Sequence, residues 1–183
     1  WGLMWILWVA EEVAALGGTV TLIPAPATPV LPMLSLGVLW LILWNGPLRW
    51  AGAVAAISAL LLWTQSPRPD LLISQTGGLV GIMTAEGRAL SKPRGDGFAA
   101  SVWLENDGDG ADQKTAAARL FSPREKGWAE GQLAGIAIHH LSGKTGIRHL
   151  AQACSGGAVV VTNVEPEAPS PAACRLIGPS LLR

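Results

Sequence analysis

The chain has 183 residues, half of them hydrophobic, with 13 basic and 13 acidic side chains and no net charge. That balance lacks the long-range positive field on which charge-driven nucleic-acid binding relies. The chain opens on Trp1 and ends on Leu181-Leu182-Arg183, which reads as an internal or C-terminal piece of a longer protein.

The charges are unevenly spread. Through Thr64 the only ones are Glu11, Glu12 and Arg49, which leaves 12 basic and 11 acidic residues from Pro67 onward. The first part reads as a membrane segment, the second as a near-neutral soluble domain. Seven of the nine tryptophans also fall in the first 64 residues; Trp44, Trp50 and Trp63 sit at the ends of apolar runs, where indoles favour the headgroup level.

Residues 1–18 form the first unit. Trp1, Met4, Trp5 and Trp8 recur at helical spacing ahead of Glu11-Glu12, which predicts an amphipathic helix ended by Gly17-Gly18. It is short for a span and suited to lying in the interface. The alternative is the end of a truncated transmembrane helix. Residues 19–28 form a Pro-rich connector, and an extended chain is expected through Pro32. Residues 29–65 hold two apolar runs, 29–44 and 48–63, around Asn45-Gly46-Pro47. They read as two transmembrane helices embedded in a lipid bilayer. Gly52, Ala53, Ala55, Ala56, Ser58 and Ala59 give the second a small-residue face for close helix packing. Arg49 in the turn places the turn in the cytoplasm and both ends outside.

Residues 67–183 form the soluble domain. Strands are expected at 71–75, 79–84 and 88–92, a helix at 97–106 with Phe98, Val102, Trp103 and Leu104 on its apolar side, and an acidic Gly-rich loop at 107–114. A short helix at 113–121, a strand at 132–141, a helix at 145–154 and strands at 158–163 and 174–177 follow. The fold class is α+β: a membrane-helix hairpin preceded by an amphipathic helix and followed by a small α/β sandwich.

His139-His140 would point to opposite faces of a strand, one exposed and one inward, and so cannot chelate one ion. The run from Glu105 to Asp112 has the composition of a calcium loop but lacks the closing Glu of the EF-hand pattern, and it reads as a solvated turn. Cys154 and Cys174 either pair as a disulfide or stand as two free thiols. No Ser/His/Asp or Cys/His order stands out, so no catalytic residue, metal ligand or cofactor is named.

Several strings carry a resemblance. These are Arg68 through Met83 (Arg-Pro-Asp-Leu-Leu-Ile-Ser-Gln-Thr-Gly-Gly-Leu-Val-Gly-Ile-Met), Glu86 through Leu90, Gly97-Phe98, and Trp103 through Asp109. With His149 through Cys154, Ala158 through Val161 and Cys174 through Ile177, they resemble the C-terminal region of ComEC-type competence proteins, in particular the alphaproteobacterial variant. The resemblance covers essentially the whole chain. It implies a polytopic bacterial inner-membrane channel that carries single-stranded DNA inward during natural transformation, with a periplasmic terminal domain truncated at its C-terminal end. The DNA path would lie in a membrane core upstream of Trp1, and other competence proteins would be partners. In many members the last domain resembles a metallo-β-lactamase. Where metal-competent members carry a Gly- and Asp-containing motif, this chain reads Ser74-Gln75-Thr76-Gly77-Gly78, which implies a degenerate, non-catalytic version. Two rivals stand beside it. One is a membrane-tethered metal-dependent hydrolase or nuclease using His139, His149 and Asp residues of the acidic loop; the other is a structural or partner-docking tail.

Overall fold

The computed structural model describes residues 1–16, 22–166 and 174–182. The first helix, α1 (Gly2–Ala15), is exposed along its whole length. The Gly17-Gly18 cap expected for it lies outside the described residues.

The connector runs without regular structure from residue 22, and α2 (Val30–Leu43) starts earlier than an extended chain through Pro32 allows. Pro32 falls in the first turn, where a missing N–H costs no intrahelical bond. A 3-10 turn at Pro47–Arg49 then leads into α3 (Trp50–Thr64). The turn and α3 together make 18 residues apolar enough to cross a bilayer, while α2 has 14. The two helices pack through glycine. A Cβ on Gly37 would lie 2.9 Å from the Gly52 carbonyl oxygen, and one on Gly52 would lie 2.5 Å from that of Gly37. Gly52 and Ala59 are buried, whereas Val54, Ile57 and Leu60 face outward. The small-residue face is therefore the packed one, and Gly37 is the partner that sequence reasoning did not single out.

The described residues from Pro67 onward hold two sheets. Strands β1 (Leu71–Ile73), β2 (Val80–Thr84) and β3 (Gly87–Leu90) make an antiparallel meander. Helices α4 (Gly97–Asp107) and α5 (Gln113–Ala117) cover one face of it, burying Ala100, Leu104 and Ala116 against Leu79 and Leu90. The acidic loop is thus shorter than expected, because Asp107 ends α4 and Gln113 starts α5. Phe98 is 85% exposed rather than on the buried side. The buried stripe runs through Ala100 and Leu104, an i, i+4 pair, and Phe98 lies two residues, about 200°, around the helix from Ala100.

The second sheet has the order β4 (Ser122–Glu125), β5 (Trp128–Leu133), β6 (Ile136–Leu141), β7 (Val159–Thr162), β8 (Arg175–Ile177). The single strand expected at 132–141 holds β6 at 136–141, but its first residues are the end of β5 and the turn of a hairpin. Ala134 and Gly135 have φ of 49° and 82° and join β5 to β6 as a two-residue connection. The helix expected at 145–154 is broken into α6 (Gly143–Gly146), a 3-10 turn (Ile147–His149) and α7 (Leu150–Ala153). These turns cross over from β6 to β7, which pair in parallel. One face of this sheet packs Ala129, Ile138 and Val161 on Val80, Ile82 and Ala89 of the meander. The other packs Trp128, Leu141 and Val160 on Ala153 and Cys154. The layer order is helix, sheet, sheet, helix, a mixed α+β domain.

Candidate functional site

The acidic loop is ionically locked. Helix α4 stops at Gly108, whose φ of 73° is a left-handed cap. Its N–H bonds the Glu105 carbonyl at 3.0 Å, and that of Asp109 bonds Leu104 at 2.8 Å, a Schellman closure. The closure presents Asp107 and Asp109 to two arginines. Arg88, with no exposed side-chain surface, forms a two-pronged pair with Asp107, Nε to Oδ2 at 2.5 Å and Nη2 to Oδ1 at 3.2 Å. Its Nη2 also donates to the Pro69 carbonyl at 3.2 Å, while Nη1 is buried without a partner. Arg119 pairs with Asp109 and donates to the Arg88 carbonyl at 2.9 Å. Hydrogen bonding from Arg119 holds the Asp109 carboxyl below the usual range. Asp112 caps α5 by accepting from the Thr115 N–H at 2.8 Å, and hydrogen bonding from the Thr115 side chain first, then from that N–H, lowers its pKa. The expected solvated turn is therefore a brace between the meander and α4, with its carboxylates committed to arginines and a helix N-terminus.

Both members of His139-His140 are buried, 6% and 1% exposed, in place of one exposed and one inward. They do lie on opposite faces. The outer layer of helical turns covers His139, and the meander covers His140. The His140 Nε2 meets the Gly77 carbonyl at 3.1 Å, which makes Nε2 the protonated nitrogen and leaves Nδ1 a buried lone pair without a partner. Desolvation first, then the Lys92 charge, push its pKa down to about 4. Beside it Ser74 gathers the first turn, its Oγ accepting from the N–H groups of Gly78 and Leu79 at 3.0 Å each. Asp96, at a left-handed φ of 51°, accepts from Thr76 at 3.2 Å.

On the outer face the Trp128 indole N–H donates to His139 Nδ1 at 3.2 Å, and the ring stacks on His149 at 5.4 Å. Desolvation lowers the His139 pKa. His149 Nε2 lies 3.3 Å from Glu125. The indole touches both imidazoles, and the acidic loop lies beyond both sheets. His139, His149 and the loop carboxylates are thus not brought together. Among the described residues no group of three or more His, Cys, Asp or Glu side chains converges to hold a metal. The donors present do not fit a metallo-β-lactamase-type centre, because the imidazoles and the acidic loop lie apart and Asp107 and Asp109 are paired with arginines. The structure joins Cys154 to Cys174 by a disulfide, with Cα atoms 4.9 Å apart, linking the end of α7 to the start of β8.

The hairpin and the domain meet at one end of α2 and α3. Ala27 N–H donates to Ser66 Oγ at 3.0 Å, and the Trp63 indole to the Pro24 carbonyl at 2.8 Å. Ala25 N–H and Arg68 both donate to the Asn106 carbonyl. The connector therefore ties α3 to the end of α4. Comparisons with protein-family models, with curated proteins and with solved structures give no match.

Proposed function

We propose that the chain is the C-terminal region of a ComEC-like inner-membrane channel for single-stranded DNA, with a non-catalytic periplasmic domain. The observation that carries this reading is the pairing of a glycine-packed apolar hairpin with a helix–sheet–sheet–helix domain whose acidic loop pairs Asp107 and Asp109 with Arg88 and Arg119. Thirteen large apolar side chains of α2 and α3 face outward. At about 1.5–3 kcal/mol each, leaving them in water would cost on the order of 20–40 kcal/mol, more than a typical domain's stability. A bilayer removes that cost. The connector contacts put the domain at the end of the hairpin opposite Arg49, and with Arg49 cytoplasmic the domain is outside, where a disulfide persists. The four-layer order supports a degenerate metallo-β-lactamase-like domain. The strings that resemble ComEC-type proteins, and an upstream core to conduct the strand, complete the proposal.

The test is deletion of the gene in a naturally transformable host, followed by uptake of labelled marker DNA. Loss of cytoplasmic DNA is expected; undiminished uptake would sink the transport role. A scaffold role for the domain itself is favoured by the Arg88–Asp107 and Arg119–Asp109 pairs, which use the charges a catalytic loop would need. Gel-shift titration of DNA against the full chain then shows weak binding only; tight, salt-sensitive binding would contradict it.

A further inference from the structure

Where the connector crosses the last turn of α3, the two segments enclose a groove of about 560 Å³. Ile23, Pro24, Leu60, Trp63, Thr64 and Ser66 form its walls, the Ser66 hydroxyl accepting from the Ala27 N–H at 3.0 Å, and Arg68 lies at its domain end. The wall polar groups are already used. The Trp63 indole N–H is held by Pro24, and the Thr64 hydroxyl donates back to the Leu61 carbonyl at 2.8 Å. What remains is an apolar trough with one cation. Arg68 is half-buried, spends Nη1 on the Asn106 carbonyl at 2.5 Å, and forms no ion pair among the described residues. A guanidinium has five N–H donors, so its remaining ones are available to an anion. Among the described residues no acidic side chain lines the groove to receive the cationic end of a zwitterionic headgroup. Charge and shape together match a ligand with a phosphate diester at one end and hydrocarbon at the other.

We propose that this groove binds one anionic phospholipid, its phosphate on Arg68 and an acyl chain along Leu60 and Trp63. The inference rests on the membrane reading above. The site would fasten the domain to the outer headgroup layer at the junction where the connector, α3 and α4 meet.

The full chain is reconstituted into phosphatidylcholine vesicles containing a minor fraction of phosphatidylglycerol, extracted in mild detergent, and its retained lipid measured by mass spectrometry. Phosphatidylglycerol should be enriched about tenfold over its bulk ratio, which corresponds to about 1.4 kcal/mol. Arg68→Gln should return it to the bulk ratio, Arg68→Lys should keep part of the enrichment, and Arg94→Gln on the exposed loop should change nothing. Excess inorganic phosphate should leave the lipid in place; displacement would assign the site to free anions and overturn the proposal. Vesicle-bound protein that retains both lipids at the bulk ratio would refute the lipid site and leave the membrane reading standing. Failure to associate with vesicles would refute both.

Discussion

The hairpin and the soluble domain bury opposite kinds of residue. Between α2 and α3 the contact is Gly37 on Gly52, with Val54, Ile57 and Leu60 turned outward. Between the two sheets the contact is Val80, Ile82, Ile138 and Val161, large side chains with almost no exposed surface. Apolar area drives burial only where the alternative is water. Where the alternative is hydrocarbon, close backbone approach between small residues takes over. On the membrane reading proposed above, one chain carries two packing rules, and substitutions at equivalent-looking positions should have opposite consequences in its two halves.

The strongest test of the hairpin rule is Gly52→Leu. Its side chain would enter the Gly37 backbone, and the cost should exceed about 3 kcal/mol because backbone cannot step aside as a side chain can. Spin labels on the outward Leu31 and Leu61 should report a longer distance in detergent; an unchanged distance would remove glycine packing from the account. In the soluble domain the matching break is electrostatic. Asp107→Ala leaves the fully buried Arg88 charge without its partner and should cost about 3–5 kcal/mol, read as a lower urea midpoint for the domain.

A paired substitution compares the regions directly. Ile138→Ala, at 2% exposure, should cost about 2–5 kcal/mol. Ile57→Ala, at 58% exposure on the hairpin, should stay within about 0.5 kcal/mol for the chain in detergent. Equal losses at the two sites would erase the distinction.

A further break is a pH dependence confined to the domain. His140 has its pKa depressed from 6.5 to about 4, chiefly by desolvation. The unfolded chain therefore takes up a proton between those values that the folded chain refuses. Stability should be flat above pH 6.5 and fall by up to about 3 kcal/mol as pH drops toward 4. His139 is shifted in the same direction and steepens the fall. His140→Gln should flatten the curve, and an unaltered slope would place the titration elsewhere.

Much of this architecture was legible before folding. Uninterrupted apolar runs announce α2 and α3, and alternation with Gly turns announces the meander. The hairpin of β5 and β6 was not legible for a specific reason: its turn is Ala134-Gly135, and alanine at positive φ gives no sequence signal of the kind Asn-Gly gives. Edge strand β4 is exposed at every residue and carries no alternation at all. Gly143 and Gly146 break what periodicity alone reads as one helix at 145–154. The site was less legible than the fold. The pairing of Arg88 with Asp107 spans 19 residues, and the contact of His140 with Gly77 spans 63, so local pattern cannot reveal either. The glycine at 37 was visible, but its meaning required knowing which face of α3 it would meet.

The central claim is that residues 29–65 sit in a bilayer with the domain held to one side. Membranes carrying the full chain can be washed at alkaline pH and then treated with protease from one side at a time. The account predicts that the chain stays with the lipid, that the segment from Pro67 onward is cut from one side only, and that the 29–65 hairpin survives. A chain that washes off and runs as a monodisperse monomer without detergent would contradict it.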